Sequence, residues 1–337
     1  AVALNPAAGE ALRVPERPGV AVYGALPALD LDRWLPLFSG DRGAGTTNFD
    51  LRAGTFDILG KRLSNVVLRG GADASGWSAT VNASELGGDL TYRAEGSGRL
   101  IARLAHFRIP DDSPGTKPAE GTRELPSVDL VAENFTHRNK RYGRVEIGAL
   151  HDGPNWRIEK LVIVNPEASI SGNGAWQTGR GSRTSLTLRL ESSDLGKFLE
   201  RVGYPDRIQG GSAKLEGKVA WNGDPLSVDY SSLSGELALH AEKGQFPQIE
   251  SGVGRLFSLI SLNVVDATAK GFSFDSVSSS FQIAQGVMSM KDLKIRGSAA
   301  EVTMSGDIDL EKETQNLRVK VVPSVRRGVT TLATMVN

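Results

Sequence analysis

The chain has 337 residues, 39% hydrophobic and 23% charged, with Lys+Arg and Asp+Glu equal at 39 each. This balance excludes a chain too polar to fold, leaves a nucleic-acid role without the usual basic footprint, and, with no cysteine present, excludes a disulfide scaffold or thiolate metal site. Glycine is abundant at 39 residues while aromatics make up 6%, a mix suited to many short strands joined by turns.

In chain order, the first residue is Ala1, and no run approaches the ~18 apolar residues of a spanning helix. Leu31, Trp34, Leu35 and Phe38 follow Asp30 at helical spacing, so a short helix is expected near 31–38, shortened or kinked by Pro36. Phe49-Asp50-Leu51-Arg52-Ala53 with Phe56 and Trp77 is echoed by Val128-Asp129-Leu130-Val131-Ala132 with Phe135 and Trp156. The offset is constant, since 129−50, 135−56 and 156−77 all equal 79. Such spacing predicts duplicated β-units stacked along one axis. Between the copies, Pro110 to Pro126 contains four prolines among small and charged residues and reads as a loop, either inserted in one sheet or linking two domains. The expected organisation is a first β-unit over 1–109, a proline-rich loop over 110–127 and a second β-segment over 128–337.

Arg183 to Leu190 alternates strictly, with Leu186, Leu188 and Leu190 on one face and Ser185, Thr187 and Arg189 on the other, as a half-buried strand requires. Helices are expected near 194–202, from Leu195, Phe198, Leu199 and Val202 behind Ser193-Asp194, and near 252–262, from Val253, Leu256, Phe257 and Ile260 behind Ser251. Alternation resumes at Phe272/Phe274, Phe281/Ile283, Leu293/Ile295, Val302/Met304, Ile308/Leu310 and Leu317/Val319/Val321, with Gly286, Gly297 and Gly306 between runs. The last residues, Val329 to Asn337, read as a helical stretch cut short, which suggests an internal fragment. The fold expected is mainly β, an elongated and curved antiparallel sheet with a few short amphipathic helices.

Residues that would carry chemistry are scattered. His106, His137, His151 and His240 lie far apart, without metal-ligand spacing, and neither a G-x-S-x-G elbow nor a phosphate-binding glycine loop occurs. Asp111-Asp112 and Glu311-Lys312-Glu313 sit in polar stretches typical of solvated turns. No enzyme, cofactor or metal is expected.

From Ser193 onward the sequence resembles the AsmA-like superfamily, in particular its YhdP type. The resemblance rests on Asp194-Leu195-Gly196 through Leu199, Gly203-Tyr204-Pro205-Asp206, Gly210-Gly211-Ser212-Ala213-Lys214-Leu215-Glu216-Gly217 and Trp221. It continues through Gly252-Val253-Gly254-Arg255-Leu256, Lys270 to Ser276, Ala284-Gln285-Gly286-Val287, Gly306 to Leu310 with Thr314-Gln315, and Pro323. Residues 1–192 fit more loosely, through Leu125 to Leu130, Trp156 and Gly172-Asn173-Gly174-Ala175-Trp176.

The resemblance implies a Gram-negative periplasmic protein held in the inner membrane by a segment absent from this chain, with phospholipid as its ligand and an outer-membrane or envelope protein as partner. The function implied is shielding of acyl chains in transit between the inner and outer membranes. Candidate groove residues are Leu186, Leu188, Leu190, Phe272, Phe274, Ile283, Val302, Met304, Ile308, Leu317 and Val319. The dimensions agree with that role. An acyl chain spans about half of a ~30 Å hydrocarbon core, and five strand residues at ~3.3 Å each cover that depth. A sealed sandwich would show the same alternation, and a scaffold of the TamB kind, offering strand edges to outer-membrane proteins, is the alternative function.

Overall fold

The computed structural model describes residues 2–5, 19–30, 46–58, 61–109, 126–153, 155–179, 181–247, 271–324 and 333–336. They are mainly strand, in two compact units, 1–160 and 161–337.

The first unit holds β1 (Val2–Leu4), β2 (Gly19–Asp30), β3 (Thr46–Ile58), β4 (Lys61–Asp73), β5 (Gly76–Asn82), β6 (Leu86–Arg93), β7 (Arg99–Arg108), β8 (Ser127–His137) and β9 (Lys140–Asp152). β10 (Asn155–Val164) carries the chain across the boundary. Neighbours in sequence pair in the sheet. The expected antiparallel sheet holds for most pairings and is corrected at three places, because β1–β2, β2–β3 and β7–β8 are parallel. Alternation of side chains is identical in parallel and antiparallel strands, so it cannot report direction. Connection length only limits it, since a short connection rules a parallel neighbour out. A parallel neighbour requires the chain to travel back the length of a strand, ~33 Å for ten residues, which no tight turn achieves. The three long connections of the first unit, 5–18, 31–45 and 109–126, fall at these three pairings, whereas the long connections 193–208 and 247–271 of the second unit join antiparallel strands. The proline-rich stretch therefore joins adjacent strands of one sheet, and the helix expected near 31–38 lies outside the described residues.

The repeat of 79 residues reappears in the strand bounds, for 140−61, 152−73 and 155−76 all equal 79. Apolar positions line up across the unit: Leu51, Leu68, Val81, Gly88, Leu104, Ala132 and Val145 are successive register partners from β3 to β9. A phase slip shifts the alternation partway along β4. At Asn65 the backbone turns left-handed, with φ 54°, so Leu63 and Val66 both reach the buried side. Leu29, Ala53, Phe56, Leu63, Val66, Val81 and Ala83 form the buried cluster there. Beside it, Glu85 is 4% exposed but satisfied, accepting hydrogen bonds from the Ser64 amide at 2.7 Å and Arg108 Nη2 at 2.8 Å.

The second unit continues with β11 (Ala168–Gln177), β12 (Arg183–Ser192), α1 (Leu195–Arg201), β13 (Gln209–Asn222), a 3₁₀ turn η1 (Tyr230–Ser232), β14 (Ser234–Phe246), β15 (Phe272–Ala284), β16 (Val287–Arg296), β17 (Ala300–Asp309), β18 (Thr314–Pro323) and β19 (Ala333–Val336). From β11 to β19 each successive pairing is antiparallel. The β15–β16 hairpin turns on Gln285-Gly286, both at positive φ (48° and 76°), the signature of a type I′ turn matched to strand twist. The helix expected near 252–262 lies outside the described residues. At 333–336 the reading of a helical stretch is corrected, because the backbone pairs there with β18. Two β-branched residues among these four, Thr334 and Val336, suit a strand better than a helix.

Helix α1 forms where its sequence predicts. Asp194 is the N-cap, its side chain accepting from the Lys197 amide at 3.1 Å, and Leu195 and Phe198 are buried one turn apart. Arg201 in the last turn donates from Nε and Nη2 to the two carboxylate oxygens of Glu167, at 2.6 and 2.8 Å, tying the helix to the turn before β11.

Candidate functional site: an apolar sheet face

Following the register across the second unit assembles a surface row by row. Gly174, Leu186, Val219, Gly235, Ile283, Met288 and Ile308 are successive partners from β11 to β17. Two residues along, the row is Gly172, Leu188, Gly217, Leu237, Phe281, Met290, Gly306 and Leu317. The third runs through Ile170, Leu190, Leu215, Leu239 and Ser279, and Leu293, Met304 and Val319 continue it past a bulge. The fourth holds Ala168, Ser192, Ala213, Ala241, Val277, Ile295, Val302 and Val321. One face of eight strands is thus apolar almost without interruption. The alternate positions, such as Thr187, Lys218, Glu236, Gln282, Ser289, Asp307 and Asn316, make the other face polar.

All eleven residues expected in a groove lie on this apolar side, though two arrive by an unexpected route. Phe272 and Phe274 have even numbers, whereas Val277, Phe281 and Ile283 on the same strand have odd ones, yet all five are buried and Phe272, Phe274 and Val277 share one cluster. Lys243 on the partner strand, at φ 53°, marks the slip. Ala241 and Gly244 flank it, and both are buried. β16 carries a separate slip, an extra residue between Met290 and Leu293, where Lys291-Asp292 is exposed and both flanking apolar pairs keep their side. Leu237, Leu239, Val219, Leu215, Met288 and Met290 complete the surface although the alternation of their strands was not singled out. The pattern Leu237/Leu239 was available in the sequence, but glycines at 217 and 235 shorten the alternating runs.

Cover over the face is uneven. Phe274, Ile295 and Val302 are 1–2% exposed. Leu188, Leu190, Leu215, Leu237, Leu239, Leu317 and Val319 are only half-buried. Part of the difference follows α1, whose Leu195 and Phe198 belong to the cluster with Ala168, Ala213 and Ala241, although Leu186, Ile283, Phe281 and Met290 in the rows away from it are buried as well. Alanines in that row leave room for a helix to seat at close range, as small residues do. The leucine rows lie beyond it. Ser279 is the one buried side chain among the described residues whose polar atom lacks a hydrogen-bond partner.

Charges stay on the polar side. Arg189 donates to Glu191 at 2.6 Å, and this guanidinium holds the Glu191 carboxyl below the usual range, as Arg201 does for Glu167. His240 lies 3.0 Å from Glu242 and both are exposed, so such pairs add little stability and chiefly keep that face wet. His106 contacts the Ala83 carbonyl at 3.2 Å in the other unit, and burial lowers the pKa of His137. Among the described residues no three His, Asp or Glu side chains are grouped to hold a metal. An open depression of about 310 Å³ between β11 and β14 has Lys218 as its only titratable lining residue.

A sheet with one apolar and one polar face defines a mainly β protein. The chain belongs to the YhdP family, whose family model, described as YhdP protein, matches residues 4–337. It is 22% identical over 344 aligned positions to the intermembrane phospholipid transporter YhdP of Escherichia coli K12, which covers 94% of this chain and 27% of that protein. The chain therefore spans about a quarter of this relative's length. No solved structure matches it.

Proposed function

We propose that this chain is a stretch of lipid path in an inner-membrane-anchored, periplasm-spanning transporter, and that its apolar face shields phospholipid acyl chains between the inner and outer membranes. The incompletely buried leucines of this face carry the proposal. A surface sealed for stability would bury them, whereas an acyl chain would complete their cover. Carrying a two-chain lipid through water exposes roughly 30 methylenes at ~0.8 kcal/mol each, or about 24 kcal/mol. Contact with an apolar wall removes much of that barrier and needs no reactive group, in keeping with a relative named as a transporter. In this proposal the membrane anchor and any envelope-protein partner belong to parts of the relative that this chain does not match.

The test is a photo-crosslinking residue at position 188, on the half-buried row, and another at 187, on the polar face. Phospholipid adducts at 188 with none at 187 are expected after irradiation in cells. Equal labelling, or adducts only to protein at 188, would remove the lipid path from this strand.

A further inference from the structure

Resting on the lipid-path reading, the placement of tryptophan says which way a lipid lies. In the second unit, Trp221 and Thr184 are register partners one row beyond Leu186, and Trp176 pairs with Thr184 from the other side. These residues stand at the strand ends opposite α1. Thr184 is fully buried and donates to the Gly223 carbonyl at 2.8 Å. Trp221 is 3% exposed and donates from Nε1 to the Asp224 carbonyl at 3.0 Å, while Trp176 Nε1 donates to Ser182 Oγ at 2.9 Å. Each ring is thereby fixed, with its polar edge turned to the connections at 178–182 and 223–233. The second of these connections also presents Leu226, Val228 and Tyr230, all exposed.

The same end-sorting holds within the first unit, where Trp77 and Tyr92 stack at 6.0 Å near the start of β5 and the end of β6, and Trp156 opens β10. All four tryptophans among the described residues stand at strand ends of this kind. Most phenylalanines gather at the opposite ends, as Phe198, Phe246, Phe272 and Phe274 beside α1 and as Phe107 and Phe135 in the first unit, with Phe49 and Phe281 the exceptions nearer the tryptophan ends. Tyrosine sorts less strictly, since Tyr142 and Tyr204 sit at the phenylalanine ends.

Indole pairs an apolar body with one donor, so it favours the boundary between hydrocarbon and water, whereas phenylalanine has no polar edge and favours hydrocarbon. We propose that phospholipid lies across the strands of the second unit, glycerol-phosphate at the Trp176–Trp221 rim and acyl tails pointing to helix α1. The span suits this. From the Thr184–Trp221 row to the Ser192–Ala213 row is eight residues, ~26 Å at ~3.3 Å each, and with both end rows occupied the remaining leucine rows approach the ~15 Å of one acyl chain.

The chain has no cysteine, so a cysteine introduced into it is unique within it. Two exposed positions outside the apolar face, Ser227 at the rim and Glu200 on the outer side of α1, are each replaced by cysteine (Ser227→Cys, Glu200→Cys) in the full-length protein freed of other cysteines, and labelled with bimane. Phosphatidylcholine bearing a nitroxide on either the headgroup or the far end of one acyl chain is supplied from vesicles. The expected result is at least threefold stronger quenching at 227 than at 200 by the headgroup probe, and the reverse order for the tail probe. Equal quenching at both sites, or the opposite order, would overturn the orientation while leaving lipid binding intact. If neither probe quenches either label, the lipid path itself fails and the orientation falls with it.

Discussion

Replacing Leu188 by Arg separates an open apolar face from a closed core. Leu188 is half-buried, between Gly172 and Gly217 in its row, so no neighbouring side chain on either side blocks a longer residue. Full burial of a leucine stabilises by about 1.5–3 kcal/mol, so losing half of that costs about 0.75–1.5 kcal/mol, and the arginine stem recovers part by lying along the face. In a unit of this size that lowers Tm by roughly 2–6 °C. Val302, 1% exposed in the same apolar surface, provides the contrast. Val302→Arg leaves a buried charge without a partner and should cost about 3–5 kcal/mol, or roughly 6–20 °C. For lipid the order reverses. A guanidinium among acyl chains costs about 2.5–3.5 kcal/mol, equivalent to a roughly 70- to 400-fold loss of occupancy at that row. Thermal melts of both variants, paired with a lipid-transfer assay, decide the matter. Leu188→Arg should fold nearly as the parent and fail in transfer. A melt depressed as far as that of Val302→Arg would show that Leu188 faces protein and refute the reasoning.

Phe198→Ala removes the larger of the two buried anchors of α1 and should cost about 3 kcal/mol, read as lost amide protection in β13 under hydrogen exchange; unchanged protection would make the helix dispensable. Glu167→Gln should lower stability by about 1–2 kcal/mol at neutral pH. Because Arg201 depresses the folded-state pKa of Glu167, the pair's contribution is complete above the ordinary glutamate value near ~4.3 and is lost as pH falls through the lower folded value. Parent and Gln variant should therefore converge in acid, and a constant gap down to strongly acidic pH would contradict the pairing. Gly217→Ala, at φ 156° with a Cβ directed at the Glu236 carbonyl, should cost at least about 1–3 kcal/mol of backbone strain, measured by urea unfolding; a neutral result would show that β13 and β14 separate freely there.

Much of this surface was legible before any coordinates, and the parts that were not have specific causes. The run 183–190 announced its two faces by period two alone, and α1 announced itself by a capping aspartate ahead of residues spaced three and four apart. Phe272 and Phe274 lie on the apolar side, although simple odd-even counting would set them against Val277. The slip beside Lys243 depends on a left-handed lysine, which its residue type does not signal. Strand direction was invisible for the reason that alternation has no polarity. The rim was missed because Trp176 and Trp221 stand 45 residues apart (221−176), and only the shared partner Thr184 brings them to one row.

The parallel step between β7 and β8 has a consequence for how such a sheet can grow. Counting from β3, the repeat contains five strands before β8 begins its next copy. Five is odd, and with antiparallel joints throughout, the sixth strand would run opposite to the first, setting each copy head-to-tail against the last. One parallel joint restores the direction, so β8 runs with β3 and Trp156 occupies the same strand end as Trp77. Within the first unit the start of the second copy therefore presents the same rim on the same side as the first. A long crossover that looks like an interruption is the parity correction that keeps the second copy of an odd-stranded module running with the first.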